Sequence, residues 1–130
     1  MNSQSTIETV SQAVKNAFRG MTDQMQTCIQ TCIECEQICR QAISYCLKQG
    51  GAHAEVHHIQ LLQDCADICA TSARVMARES KFQSQTCALC AEICLACAED
   101  CEKMGDDEIM KSCAEACRHC ADSCRKMAAH

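Results

Sequence analysis

Residues 87–101 read Cys87-Ala-Leu-Cys90-Ala-Glu-Ile-Cys94-Leu-Ala-Cys97-Ala-Glu-Asp-Cys101. Five thiols follow one another at steps of 3, 4, 3 and 4 residues, and that alternation decides the fold. It averages 3.5 residues, the period of the a/d seam whose side chains face the axis of a helical bundle. A strand would need period two, which the chain does not offer. Cys stands where such bundles normally carry Leu and Ile.

Outward from this stretch the same seam recurs three times. One run is Met25, Cys28, Cys32, Cys35, Cys39, Ala42 and Cys46; another is His58, Leu62, Cys65, Cys69, Ser72 and Met76. The quoted run ends on Met104, and the last is Met110, Cys113, Cys117, Cys120, Cys124 and Met127. Ile29, Ile33, Ile38, Ile43, Ile59, Ile68, Leu89 and Ile93 lie beside the seams, where they are expected to pack between helices. Pro is absent, and the four Gly (Gly20, Gly50, Gly51, Gly105) punctuate the pattern. Thr22-Asp23 offers an N-cap, Ser80 or Ser84 another, and Gly105-Asp106-Asp107 a helix end followed by a cap. The predicted helices span about 22–49, 52–79, 84–104 and 107–128, after a short N-terminal helix at about 5–19 marked by Ile7, Val10, Val14 and Phe18. The expected fold is all-α, an up-down-up-down four-helix bundle with a short N-terminal helix. Residues 1–20 form the appendage and residues 21–130 the Cys-lined bundle.

Composition narrows the function. The chain has 130 residues, 16 of them Cys and only three aromatic (Phe18, Tyr45, Phe82). Leu, Ile, Val and Phe together supply 20 residues, so a core forms only if Cys, Met and Ala fill it. A net charge of −5 provides no basic patch for nucleic acid or an anionic membrane surface. No run of 18 apolar residues could span a bilayer. The opening Met1-Asn-Ser-Gln-Ser-Thr-Ile-Glu has neither a basic nor an apolar leader region, so a cytoplasmic location is expected. There, dense Cys means free thiols or metal thiolates rather than a disulfide scaffold.

Thiols at every layer are a poor way to build a core. Each Leu replaced by Cys forfeits roughly 1 kcal/mol or more of burial. Cys at i and i+4 of one helix have Cβ atoms about 5–6 Å apart, too far for a disulfide. Metal binding accounts for the pattern. Thiolates select Cu(I), Zn(II) and iron–sulfur clusters. Clusters favour loop-borne Cys, and isolated Zn tetrathiolates would each bury a charge of −2. Cu(I) needs two or three sulfurs, and bridging thiolates keep both the loaded and the protonated core near neutral. The C-x-x-x-C pairs Cys28/Cys32, Cys35/Cys39, Cys65/Cys69, Cys90/Cys94, Cys97/Cys101, Cys113/Cys117 and Cys120/Cys124 each share a helix face and could chelate one ion. The intervening C-x-x-C pairs Cys32/Cys35, Cys87/Cys90, Cys94/Cys97 and Cys117/Cys120 would let neighbouring sites share sulfurs.

This array resembles the copper storage proteins, four-helix bundles whose Cys-lined interiors hold many Cu(I) ions. The resemblance covers roughly residues 22–128 and rests on Cys28-x3-Cys32-x2-Cys35-x3-Cys39, Cys65-x3-Cys69, Cys87-x2-Cys90-x3-Cys94-x2-Cys97-x3-Cys101 and Cys113-x3-Cys117-x2-Cys120-x3-Cys124. It implies copper storage or buffering in the cytosol and a homotetramer. Copper ions are the expected partners, and a copper chaperone is the candidate donor. The second seam departs from the pattern, with Ser72 and Met76 where further thiols could sit. A zinc or cadmium thiolate sink remains an alternative, as does a thiol-disulfide oxidoreductase working through one C-x-x-C.

Up-down topology also sorts the ends of the lumen. Met21, Met25, Met76, Phe82 and Met127 gather at one end as an apolar plug. Cys46, His53, His57, His58, Met104 and Met110 gather at the other. Imidazole and thioether are weaker Cu(I) ligands than thiolate and suit transient capture, and the family resemblance likewise implies entry through a mouth bearing His and Met. The metal ligands expected in the core are all sixteen Cys, including Cys46. Glu34, Glu36, Asp64, Asp67, Glu92, Glu99, Asp100, Glu115 and Asp122 read as the solvated face. No phosphate loop or catalytic set is visible, so no enzymatic role is expected; Cys46 beside the His cluster is the one nucleophile pair left open.

Overall fold

The computed structural model describes residues 20–129, together with Gln12, Ala13 and Asn16, which are helical. The rest of the expected N-terminal helix lies outside the described residues. Four helices follow: α1 (Asp23–Gln49), α2 (Val56–Ala77), α3 (Gln83–Glu102) and α4 (Glu108–Ala128). Each packs on its neighbours in sequence and α4 closes on α1, while the diagonal pairs make no backbone approach. This is the expected up-down-up-down square, and among the described residues it contains no strand.

Local signals account for most of the boundaries. Thr22 caps α1, its hydroxyl accepting from the Met25 N–H at 3.1 Å. Asp107 caps α4 in the same way, Oδ1 accepting from the Met110 N–H at 3.0 Å. Gly50 closes α1 at φ 70°, a conformation glycine tolerates without strain, and its N–H reaches the Cys46 carbonyl. Two boundaries differ from expectation. Residues Gly51–Ala54 form a separate 3-10 turn, and the extended Glu55 (ψ 139°) delays α2 until Val56. Neither Ser80 nor Ser84 caps α3. The Ser80 hydroxyl accepts instead from the Phe82 N–H within the turn. That turn is closed by Ser80 N–H to Val75 C=O and Glu79 N–H to Met76 C=O, the Schellman pairing, with Glu79 at φ 50° where Gly is usual.

The seams form the core as expected. All sixteen Cys are buried, none more than 1% exposed, with Leu62, Met76 and Met110 among them. The flanks are filled partly as expected, with Ile38, Ile43, Ile59, Ile68 and Ile93 half-buried against the core. Ile29 is buried, but Ile33 and Leu89 are exposed. The close flank positions belong instead to Ala66, Ala70, Ala91, Ala98, Ala114 and Ala121, each following a seam Cys and each buried. Small residues there allow close helix approach, which draws the thiols of opposite helices into contact. Outside, Arg118 forks onto Glu102 at 2.6 and 2.7 Å and Arg40 bridges Glu36 and Asp67. Such exposed pairs are screened by water and add little to stability.

Candidate metal centre

The lumen is a column of sulfur layers. At its middle, Cys65 Sγ lies 3.9 Å from Cys35, 3.6 Å from Cys94 and 3.8 Å from Cys117, one partner on each other helix. Toward the Met-rich end, Cys69 meets Cys90 and Cys120 at 3.8 Å, and Cys120 meets Cys32 at 3.7 Å. Beyond that, Cys28 meets Cys124 at 3.6 Å. Toward the His-bearing end, Cys39 lies 3.9 Å from Cys113. Cys32–Cys124, Cys69–Cys94 and Cys39–Cys117, at 3.6 to 3.8 Å, stitch one layer to the next. Sulfur contacts thus run unbroken from Cys28 to Cys113.

These are thiols, not disulfides, and all sixteen are free. Two sulfurs bound to one ion by bonds of about 2.3 Å lie about 3.8–4.6 Å apart as coordination opens from tetrahedral to linear. The observed separations already stand near the lower end of that range. Four groups bring their sulfurs within 4.8 Å of one another: Cys32, Cys90, Cys120 and Cys124; Cys35, Cys69, Cys94 and Cys120; Cys35, Cys39, Cys65 and Cys117; and Cys28, Cys87 and Cys124. Each draws on three or four helices. Within one helix, Cys90–Cys94 and Cys120–Cys124 approach at 3.8 and 3.9 Å, and Cys35 and Cys39 lie within 4.8 Å of each other. Three of the expected C-x-x-x-C pairs are thus close, beside sulfurs from other helices.

Protons are shared unevenly along the column. Hydrogen bonding with Cys113 raises the pKa values of Cys39, Cys101 and Cys117. Hydrogen bonding led by Cys101 holds Cys113 low in turn. Hydrogen bonding with Cys120 likewise raises Cys69, Cys94 and Cys124, while Cys124 foremost holds Cys120 low. A buried thiolate is tolerated where its neighbours can donate to it.

At the His-bearing end, the structure brings together part of the expected set. His58 is buried, its Nε2 3.4 Å from Cys46 Sγ, and Cys46 donates to Met110 Sδ at 3.7 Å. The other imidazole nitrogen, Nδ1, pairs with Asp100 Oδ2 at 2.6 Å. Asp100, expected on the solvated face, is thus turned inward, its side chain only 13% exposed. One residue off the seam, its sequence position gave no sign of this. His53 faces away from the lumen: Nε2 pairs with Asp107 Oδ2 at 2.9 Å, and its ring stands edge-on to Tyr45. The Tyr45 hydroxyl donates to the same carboxylate at 2.7 Å. The Met110 N–H, then Tyr45 and His53, lower the Asp107 pKa to about 2. His57 is exposed, and Met104 is half-buried against the core. Burial pushes the Cys46 thiol up to about 11, the reverse of an activated nucleophile.

Comparison with known proteins agrees with this geometry. The family model described as "Copper storage protein" matches residues 21–129. The chain belongs to the copper storage protein family. A structure of the Nmul_A1745 protein from Nitrosospira multiformis is 45% identical, covering 83% of this chain and 98% of that one with a TM-score of 0.77. The Cu(I)-bound copper storage protein BsCsp3 of Bacillus subtilis is 40% identical over 82% of this chain and 99% of its own, with a TM-score of 0.76. The copper storage protein Ccsp of Streptomyces lividans, loaded with 10 copper equivalents, is 32% identical over 85% of this chain and 89% of its own, with a TM-score of 0.77. A copper storage protein from that organism is described as cytosolic. The cysteine-rich protein YhjQ of Bacillus subtilis, itself uncharacterized, is 40% identical over 71 residues, 55% of this chain and 66% of that protein. Among the described residues, no helix of this family member is long and apolar enough to cross a membrane.

Proposed function

We propose that this protein is a cytosolic store that buffers copper, holding many Cu(I) ions on the thiolates of its lumen. The observation that carries the reading is the unbroken column of sulfurs at 3.6 to 3.9 Å, all from side chains sealed from solvent. In this reading Cys28, Cys32, Cys35, Cys39, Cys46, Cys65, Cys69, Cys87, Cys90, Cys94, Cys97, Cys101, Cys113, Cys117, Cys120 and Cys124 are the ligands, and residues 21–130 are the storage unit. Charge supports it. Sixteen protonated thiols are neutral, and bridged Cu(I) thiolates at a near-equal metal count are close to neutral too, so neither state buries a large net charge.

His53, His57, His58, Met104 and Met110 mark the end by which copper enters, with His58 and Met110 handing ions to Cys46. A copper chaperone is the proposed donor, and a homotetramer the proposed assembly. The apolar groove between α1 and α2, lined by Met21, Ile29, Ile33 and Ala73, is consistent with burial against another copy. The store is not an enzyme in this reading: the lumen has no exposed low-pKa thiol for disulfide exchange.

The four-sulfur groups, such as Cys35, Cys39, Cys65 and Cys117, keep a zinc sink as the second reading. Competition separates the two. Reduced apoprotein offered Cu(I) and Zn(II) together, each in excess of the thiols, should retain copper and exclude zinc after desalting. Retention of zinc in preference to copper would establish the sink instead.

A further inference from the structure

Ser72 stands on the α2 seam three residues after Cys69 and four before Met76. It is 0% exposed, and its Oγ has no hydrogen-bond partner. A buried helical hydroxyl usually finds a carbonyl one turn back, as Thr31 does on Cys28 at 3.0 Å. Ser72 does not. An orphaned buried hydroxyl is destabilising, so its surroundings bear on why it is there.

The sulfur contacts fix the register. Cys65 meets Cys35, Cys94 and Cys117. One heptad further along α2, in the direction its antiparallel neighbours run backwards, residue 65 becomes Ser72. Cys35 becomes Cys28, Cys94 becomes Cys87, and Cys117, on the parallel diagonal helix, becomes Cys124. Those three Cys form the one thiol group of three; each of the other groups has four members. Ser72 is therefore the fourth corner of the Cys28, Cys87 and Cys124 layer, carrying oxygen where the layer above carries sulfur.

We propose that Ser72 is a hydrogen-bond donor to the copper–thiolate group formed by Cys28, Cys87 and Cys124 at the closed end of the lumen, a role that rests on the storage reading above. A hydroxyl keeps its proton at neutral pH and does not replace a thiolate as a Cu(I) ligand. In the metal-free protein no sulfur of that layer serves it as an acceptor, and neutral thiols are weak acceptors. When copper displaces the thiol protons, the same sulfurs become anionic, and hydrogen bonds to charged acceptors are the strong ones. Ser72 is thus poorly satisfied without copper and well satisfied with it, favouring the loaded layer over the empty one. It also leaves that layer with three sulfurs rather than four.

The test uses the full chain, Cu(I) and a competing Cu(I) chelator. Ser72→Ala removes the hydroxyl with little change in volume. The metal-free variant is expected to melt at or above the wild-type temperature, since it loses an orphaned polar atom. Once loaded, it is expected to surrender part of its copper at about tenfold lower chelator concentration, the rest resisting as in wild type. Ser72→Cys is expected to raise the reduced thiol count by one and the capacity by about one ion. A metal-free Ser72→Ala protein that melts below wild type would show that the hydroxyl already has a partner and overturn the proposal. So would loaded wild-type and Ser72→Ala proteins that yield to the chelator identically, or a Ser72→Cys variant with unchanged capacity. A wild-type chain that takes up no Cu(I) would overturn the storage reading itself, an outcome visible before any variant is compared.

Discussion

Cys46 Sγ stands 3.4 Å from Nε2 of His58, the contact that sets an imidazole against a buried thiol at the His-bearing end. The ring is held there by its other nitrogen, 2.6 Å from Asp100. A carboxylate on one nitrogen fixes which nitrogen is free to face a metal, and here that is Nε2, toward the lumen. The mouth residues are therefore unequal, which separates their expected effects.

Replacing His53, His57 and His58 together by Ala should slow copper loading and leave final capacity nearly unchanged, because thiolates set the equilibrium. Most of the slowing should come from His58→Ala alone. His57 is exposed, and His57→Ala should load like wild type. Met25, Met76 and Met127, buried at the far end, should hardly alter the rate when replaced by Leu. Stopped-flow loading in which the far-end variant is the slower one would place the entrance at the wrong end.

The Tyr45, His53 and Asp107 clamp predicts a pH dependence. The Asp107 pKa falls from 3.8 to about 2 on folding. Its contribution should therefore be complete above about pH 4 and disappear as pH falls through about 2. Asp107→Ala, which also removes the α4 cap, should cost about 1 kcal/mol at neutral pH. Urea denaturation of the metal-free protein should show that gap closing in acid. A gap that persists unchanged to pH 2 would contradict the assignment.

Thiol chemistry offers a third check. With every Cys at most 1% exposed, a thiol reagent should react slowly with the native reduced protein and rapidly, at all 16, in denaturant. Cys46, pushed up to about 11 by burial, should not label ahead of the rest at neutral pH. One fast native thiol mapping to a C-x-x-C pair would revive the oxidoreductase alternative.

The metal-free form should already be helical, since neutral thiols and the buried Ala flanks pack without metal. Far-UV circular dichroism should change little on copper addition. A coil-to-helix transition would contradict this.

The seam was legible in the chain because a 3/4 alternation survives any choice of side chain, so the bundle and all sixteen lumen thiols could be read from it. Their partners on other helices could not. Spacing pairs Cys35 with Cys39, and packing adds Cys65 and Cys117 to that pair, because cross-helix contact depends on how nearly the helices approach. The Ala residues that allow that approach carry no signal of their own beside the flanking Ile and Leu. Asp100 was placed on the wrong side for a similar reason. Its inward turn depends on His58, 42 residues away in sequence, and no local pattern links them. The 3-10 turn at Gly51–Ala54 was hidden because Glu55, which breaks it from α2, carries no turn signal of its own.

The most direct measurement is the number of Cu(I) ions the reduced protein holds against a competing chelator. Bridging thiolates predict about one ion per core thiol, because only near-equal numbers of Cu(I) and thiolate leave the lumen near neutral. Saturation at about four ions per chain would instead signal separate tetrathiolate sites of the zinc kind and contradict the copper store.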